Sequence, residues 1–474
     1  MMSLKQAANW LPGSRLVGDA LTTPIRVHTD TRTLRTGDFF VALKGEKFDA
    51  HDFLPQAAAH GAVAALATHG LAAAGLPGLE VADTRLALGQ LAAAWRAQFD
   101  IPLIAVTGSN GKTTVTQMIA SILRTWMSTS AFATEGNFNN DIGVPLTLLR
   151  LQATHTVGVV ELGMNHPGEI AYLAKLVQPV VALVNNAQRE HLEFMQTVDA
   201  VAHENGSVLK SLSAQGTAVF PADDTYSPVW RQLAGKRRVM TFAMAGDADV
   251  VGTAVWQHGH WRVSATTPAG ELDFLLHIAG RHNVNNALAA VACALAAGAP
   301  LTAIAAGLCA FTPVKGRSRA LSVAVGGQHI TLIDDTYNAN PDSMQAAIEV
   351  LAELPAPRLL VMGDMGEVGD QGPQLHQEAG TLARLRGINH LFTLGEQAVC
   401  AQRAFDGAVG VSGHFKDMDS LVVAIQAALP GVQSVLIKGS RFMKMERAVQ
   451  AIERAADTAE STAPQQKKDL PHAA

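Results

Sequence analysis

Cysteine is scarce in this sequence: Cys293, Cys309 and Cys400 are the only three in 474 residues. They are far apart, odd in number and without metal-ligand spacing. Neither a disulfide framework nor a zinc site is expected, and the three read as small buried apolar side chains in a reducing compartment. Positive charge is also short, with 36 Lys and Arg against 41 Asp and Glu and a formal net charge of −5. No basic stripe is left for nucleic acid or an anionic membrane surface. The chain contains no apolar run of the roughly 18 residues that a membrane helix needs. Its first residues, MMSLKQAANWLPGSRLVGDA, lack a charged segment followed by an apolar core. A cytoplasmic protein without membrane insertion is expected.

With 48% hydrophobic and 16% charged residues the chain can bury substantial cores, and its length suggests about three domains. Residues 1–98 alternate strand-like runs such as DFFVAL with Ala-rich helical stretches, as a small α/β unit does. At Ile101 an apolar run, IPLIAV, leads through a Gly-rich turn into the helical stretch VTQMIASILRTW. The later runs TVGVVELG, VVALVNNA and GTAVF suggest a parallel sheet with helices on its faces over residues 99–313. FTPVKGRSR reads as a linker, with a boundary near Pro313. Beyond it HITLIDD, RLLVMGD, NHLFTLG and SVLIKGS each precede ten or more residues of helical periodicity, as in a doubly wound, Rossmann-like sheet over residues 314–456. The polar, aperiodic residues 457–474 read as a disordered tail.

Between the first central strand and its helix lies Thr107-Gly108-Ser109-Asn110-Gly111-Lys112-Thr113-Thr114. Amides of such a turn, the positive end of the helix dipole and one lysine can converge on a triphosphate, with the Thr113 hydroxyl placed for Mg²⁺. The usual phosphate loop has glycine five residues before its lysine, where this chain has Thr107, so the loop is one residue short. Nucleotide binding follows, but this turn alone does not separate a ligase from a kinase, a hydrolase or a nucleotide-controlled switch.

The shortened turn resembles the phosphate loop of the Mur ligase family, and further motifs fall in that family's order. They are Glu161-Leu162-Gly163-Met164-Asn165, Asn185-Asn186 ahead of His191, Gly280-Arg281-His282-Asn283-Val284-Asn285-Asn286-Ala287, and Gly316-Arg317. Thr29-Asp30-Thr31-Arg32, with Gly37 to Gly45, is similar to the UDP-muramoyl end of the branches that add a third residue or a dipeptide. Asp334-Asp335-Thr336-Tyr337-Asn338-Ala339-Asn340-Pro341 and Lys438-Gly439-Ser440-Arg441 resemble the dipeptide-adding branch.

The resemblance implies three α/β domains and a monomer that uses ATP and Mg²⁺ to join D-alanyl-D-alanine to UDP-N-acetylmuramoyl-tripeptide through an acyl phosphate. It assigns Gly108, Ser109, Asn110, Gly111, Lys112, Thr113 and Thr114 to the phosphates, and Thr113, Glu161 and His191 to metal. Lys112, Glu161, His191 and Arg317 are the implied catalytic set. His282, Asn283 and Asn286 are implied on the adenine side, Arg317 at the γ-phosphate and Asp335 at the ribose. For substrate the resemblance offers Thr29, Asp30, Thr31 and Arg32 toward UDP, and Asn137, Asn139 and Asn140 toward the muramoyl peptide. Tyr337, Asn338, Asn340, Lys438 and Arg441 are implied toward the dipeptide. Two other readings stay open: a free diamino acid as acceptor, and a nucleotide-dependent binding protein that makes no covalent product.

One position departs from the family. Where many Mur ligases carry a carbamylated lysine for the second metal, this chain has Asn205, so that metal should be held more weakly unless Glu204 supplies the charge, or unless Lys210 takes the role.

Overall fold

Short runs rich in Val, Ile, Leu and Ala, apolar on both faces, suit strands covered by helices on two sides. In the computed structural model, which describes residues 1–257, 259–325, 327–407 and 410–462, these runs form three sheets. The first has five strands in the spatial order Arg15–Val17, Gly78–Glu80, Ala64–Ala67, Asp38–Val41, Arg26–His28; only the first pair is antiparallel.

The second sheet has nine strands, and Leu103–Thr107 sits inside it between Val157–Glu161 and Val181–Val184, all parallel. Its far edge is an antiparallel meander of Val250–Gln257, His260–Thr267 and Gly270–Leu276. These three strands are not among those the sequence predicts. The third sheet opens with an antiparallel hairpin, Arg319–Val325 against Gln328–Asp335, and continues in parallel through Ser434–Lys438, Arg358–Gly363, His390–Leu394 and Val411–Phe415.

Two expectations need correction. The helix after the third domain's NHLFTLG strand is Val399–Phe405, only seven residues long. The last helix, Glu446–Thr462, runs past the expected end of the domain at 456, because AIERAADTAEST is dominated by strong helix formers. The rest of the expected tail, 463–474, lies outside the described residues.

The first two domains share one core. The helix Thr84–Arg96 places Leu88 and Leu91 in the same buried cluster as Leu148 and Leu173 of the central domain. Arg96, also buried, donates to the carbonyls of Val177 and Ile101 at 2.9 and 3.0 Å. The third domain has its own two clusters, joined to the centre mainly through Ala279 and the partly buried Trp256. No helix or strand lies between Cys309 and Arg319, so the chain crosses between these bodies on an irregular segment. Among the described residues no helix is long and apolar enough to cross a membrane. Of the cysteines expected inside, Cys293 is buried and Cys400 half-buried, but Cys309 is exposed, because it ends the surface helix Leu301–Cys309.

Candidate active site

The phosphate loop owes its shape to two glycines at positive φ. Gly108 has φ 131° and Gly111 φ 80°, conformations that cost a side-chain-bearing residue strain. Space forbids a side chain as well: a Cβ on Gly108 would meet the Asn185 backbone nitrogen at 3.0 Å, and one on Gly111 would meet Asn286 Oδ1 at 2.5 Å. Thr107, which occupies the expected glycine position, ends its strand buried, and its hydroxyl donates to Asn205 Oδ1 at 2.6 Å. The Gly108 N–H donates to the same oxygen at 3.1 Å. Gly111 then precedes the helix Lys112–Met127, whose free N–H groups face the cleft mouth.

Lys112 lies across this loop. Its Nζ donates to the carbonyls of Gly108 and Ser109 and to Glu190 Oε1, at 2.5, 3.0 and 2.5 Å. Thr113 Oγ1 donates to Glu161 Oε1 at 3.0 Å, and Asn139 Nδ2 reaches the same oxygen at 2.8 Å. The other oxygens of these carboxylates, Glu161 Oε2 and Glu190 Oε2, are buried without a hydrogen-bond partner. A buried carboxylate oxygen left unpaired is costly unless a cation or donor completes it. An all-oxygen set of hydroxyl and carboxylate suits Mg²⁺, which takes few protein ligands and fills the rest with water and phosphate. Among the described residues no three His, Cys, Asp or Glu side chains converge as a preformed metal centre.

His191 follows Glu190 at φ 50°. Its Nδ1 faces the Glu367 carboxylate of the third domain, and its Nε2 stands 3.6 Å from Glu190 Oε1. The adjoining His191 imidazole holds the Glu367 carboxyl below the ordinary carboxylate range, against the opposing effect of burial.

From the third domain, Arg317 stacks over the Tyr337 ring at 4.0 Å. The segment that carries it is pinned by two aspartates: Gly316 N–H donates to Asp334 Oδ2 at 3.0 Å and Ser318 N–H to Asp335 Oδ1 at 2.9 Å. Lys438 reaches Asp335 Oδ2 at 2.6 Å and the Asn338 carbonyl at 2.9 Å. Burial alone would push the Asp335 carboxyl up, but the Lys438 charge and hydrogen bond together with the Ser318 N–H outweigh it and hold the carboxyl low. Asn340 caps the helix Pro341–Glu353, and its Nδ2 also donates to Asn110 Oδ1 at 3.0 Å.

These groups line one cleft of about 600 Å³ between the central and third domains. Ser109, Asn110, Gly111, Lys112, Thr113, Glu161 and His191 face it together with Asn137, Asn139 and Asn140. Arg317, Asp335, Tyr337, Asn338, Asn340 and Lys438 close it from the other side. A neighbouring cavity of about 370 Å³ takes Thr114, His282, Asn283 and Asn286 and shares Asn110, Gly111, Arg317 and Asp335 with the first. His282 stands there exposed, in the first turn of the helix Arg281–Ala296. The amides expected on the adenine side are partly committed: Asn286 Oδ1 accepts from Asn185 Nδ2 at 2.9 Å, while its own Nδ2 donates to Asn283 Oδ1 at 2.9 Å. They brace the phosphate loop as well as lining the cavity.

Not every expected residue joins. Gly108 lies beneath the loop and faces neither cavity. Thr29, Asp30, Thr31 and Arg32 stand on the first domain, outside both cavities. Asp30 spends its carboxylate on Arg32 at 2.7 Å and on capping the turn Thr31–Thr33, which holds its pKa at about 2, chiefly through the Arg32 hydrogen bond. Arg441 is also outside, 5.7 Å from the Tyr337 ring and paired with Glu446 at 3.3 Å. Glu204 does not face the metal-side carboxylates: it caps the next helix through Gly168 N–H and Ile170 N–H, both at 2.9 Å. Lys210 is exposed at the far end of the same helix, Val198–Lys210.

Sequence reasoning passed over Glu190, Glu367 and the ion pairs of Arg189. Arg189 meets Asp342 at 2.8 Å and Glu378 at 3.2 Å, across the interface with the third domain. The one signal in reach was the run Gln188-Arg189-Glu190-His191, four polar residues at the end of a buried strand.

The chain matches three family profiles in series: "Mur ligase family, catalytic domain" over residues 26–96, "Mur ligase middle domain" over 106–294, and "Mur ligase, glutamate ligase domain" over 318–441. It is 42% identical over 447 residues to the UDP-N-acetylmuramoyl-tripeptide–D-alanyl-D-alanine ligase of Escherichia coli K12, covering 94% of this chain and 95% of that one. Its fold superposes on a crystal structure of MurF from Acinetobacter baumannii with a TM-score of 0.86 at 36% identity, covering 95% of this chain and 98% of the other. MurF from Thermotoga maritima, solved with ADP, gives a TM-score of 0.80 at 25% identity over 94% of this chain and all of that one. On profile, relatives and fold alike, the chain belongs to the Mur ligase family.

Proposed function

We propose that the protein joins D-alanyl-D-alanine to UDP-N-acetylmuramoyl-tripeptide at the expense of ATP, in the cytoplasm, making the pentapeptide precursor of peptidoglycan. The observation that carries this reading is one cleft in which Lys112, Thr113 and Glu161 of the central domain face Arg317, Asp335 and Lys438 of the third. It is supported by 42% identity along almost the whole chain to an enzyme of that name.

Condensing a carboxylate with an amine in water is unfavourable, so the carboxylate is first activated. The tripeptide's terminal carboxylate oxygen attacks the γ-phosphorus of ATP, the bond to the bridging oxygen breaks, and ADP leaves. The dipeptide's amine then attacks the acyl carbon, the amide bond forms, and inorganic phosphate departs with the electron pair of the broken acyl–oxygen bond while the amine gives up its proton. Little covalent work falls to the protein, which positions groups and neutralises charge. Lys112 and the loop amides hold the transferring phosphates. Arg317, already stacked on Tyr337, presents a planar cation where negative charge gathers. Thr113 and Glu161 would hold Mg²⁺, with His191 and Glu190 beside it; when bound, the ion screens the phosphate oxygens from the incoming carboxylate. The Asp335–Lys438 pair fixes the third domain's wall, with Asp335 toward the ribose and Asn338 and Asn340 toward the dipeptide.

Mass spectrometry of the UDP-linked precursor after incubation with ATP, Mg²⁺ and D-alanyl-D-alanine tests the reading. A gain of one dipeptide residue is expected. An unchanged mass, with or without ATP hydrolysis, would reject it.

A further inference from the structure

The cleft continues beyond the phosphate loop to a charged end formed by Arg85, Asp141, His166 and Glu169. Arg85 begins the helix Thr84–Arg96 of the first domain, while Asp141 closes the central-domain run Asn139-Asn140-Asp141. The two form an ion pair, Arg85 Nε to Asp141 Oδ2 at 2.6 Å, with a second contact from Nη2 to Oδ1 at 3.3 Å. Across the cleft Glu169 Oε2 is occupied by the N–H groups of Asn165 and His166, at 2.6 and 3.1 Å. That wall is fixed, and it leaves Arg85 and Asp141 as the groups with capacity to spare. A guanidinium has five N–H donors and a carboxylate about four acceptor positions, and the contact between them uses two of each.

Distance along the chain sets what this pair can reach. Asn139 Nδ2 is bonded to Glu161 Oε1 at 2.8 Å, beside the phosphate loop. Asp141 follows two residues later, at most about 7 Å of chain away. A substrate carboxylate activated over Lys112 and Thr113 therefore shares one cleft with Arg85 and Asp141. The four carbon–carbon bonds from the α-carbon to the end of a diamino acid's side chain span about 5 Å when extended.

Resting on the function proposed above, we infer that Arg85 and Asp141 form a subsite for the end of the tripeptide's third residue. It prefers a side chain ending in a zwitterion, as in diaminopimelate, over one ending in an amine alone, as in lysine. Asp141 takes the ammonium common to both. The spare Arg85 donors take the carboxylate that only the zwitterion carries, in the planar geometry that suits a guanidinium. A lysine side chain leaves those donors to water. The competing role for this pair is a plain latch between the first and central domains, and that role is blind to the substrate.

The test is kcat/KM for UDP-muramoyl tripeptides ending in diaminopimelate or in lysine, with wild type, Arg85→Ala and Asp141→Asn. A hydrogen bond between charged groups is strong enough for roughly a ten-fold effect. Wild type should prefer the diaminopimelate substrate by about that factor. Arg85→Ala should remove the preference by raising KM for that substrate alone, with KM for ATP unchanged. Asp141→Asn should weaken both tripeptides. Arg85 is 59% exposed, so its loss should leave the fold intact, as a melting curve would verify. Equal losses on both substrates in Arg85→Ala would assign the pair to the latch and overturn the subsite, as would a wild type indifferent to the third residue. Should wild type ligate neither tripeptide, the proposed function itself fails, a result distinct from either.

Discussion

Asn205 and Thr107 are joined by a buried hydrogen bond of 2.6 Å, hydroxyl to amide oxygen, at the base of the phosphate loop. The residue aligned with the family's carbamylated lysine is thus turned toward the loop, where it also receives the Gly108 N–H. An amide cannot take up CO₂, and neither Glu204 nor Lys210 is placed to substitute. Ligation should therefore be indifferent to added bicarbonate and to CO₂ removal. Asn205→Ala should strand the Thr107 hydroxyl and Gly108 N–H, costing about 1–3 kcal/mol of loop stability and raising KM for ATP. Rescue of a CO₂-depleted enzyme by bicarbonate would contradict this account.

Lys112→Ala should abolish ligation while the circular dichroism spectrum stays native. The proposed role of this lysine is to hold the transferring phosphoryl group, and loss of one such electrostatic contact costs roughly 3 kcal/mol or more of barrier, over a hundred-fold in rate. Near-normal turnover would remove the nucleotide assignment of the loop.

Arg317 sits on the irregular segment between domains, so the role proposed for its cation at ATP requires closure of the third domain before chemistry. Pro313 to Arg319 should be the hinge. In Arg317→Ala, turnover at saturating ATP should fall by more than ATP affinity does. A variant that loses affinity alone, with kcat unchanged, would show that Arg317 binds the ground state only.

The Asp335 carboxyl lies below its ordinary value near 3.8 because Lys438 stabilises its charged form. A group depressed in the folded state contributes stability that is full above its unfolded pKa and fades as pH falls through the folded one. In wild type that loss is confined to pH values below the ordinary carboxylate range. Removing Lys438, as in Lys438→Met, leaves a buried carboxylate uncompensated, a change that typically costs about 3–5 kcal/mol. Uncompensated, that carboxyl moves above the ordinary range and takes up a proton as pH falls, so the variant's melting-temperature deficit against wild type should be largest near neutral pH and shrink toward acid. Superimposable profiles would show that the pair has no such role.

The sequence reveals the phosphate loop, Glu161, His191 and the three α/β domains because each depends on local order: strand, turn, helix, with glycines where only glycine fits. Glu190, Glu367 and Asp342 carry no such local mark. Their meaning lies in partners far along the chain, as with Arg189 and Asp342, and spacing alone does not encode that. The meander at 250–276 was hidden for a related reason: its strands alternate buried and exposed residues, without the continuous apolar runs that marked the parallel strands. Arg441 illustrates the converse, a motif residue beside Lys438 whose side chain the turn Arg441–Met443 directs away from the cleft.

Three successive residues answer in turn to the phosphate loop, the third domain and the phosphate loop again. Gln188 accepts from Asn110 Nδ2 at 2.6 Å, Arg189 grips Asp342 and Glu378 of the third domain, and Glu190 holds Lys112. A phosphate group that draws Lys112 away from Glu190 therefore pulls on the segment that fastens the two domains. By reciprocity, whatever strengthens that fastening must strengthen or weaken nucleotide binding by the same factor. The partners of Arg189 are ion pairs at a partly exposed interface, so salt should loosen them. Ionic strength should thus reach the nucleotide pocket from a distance, through side chains that never touch the nucleotide themselves.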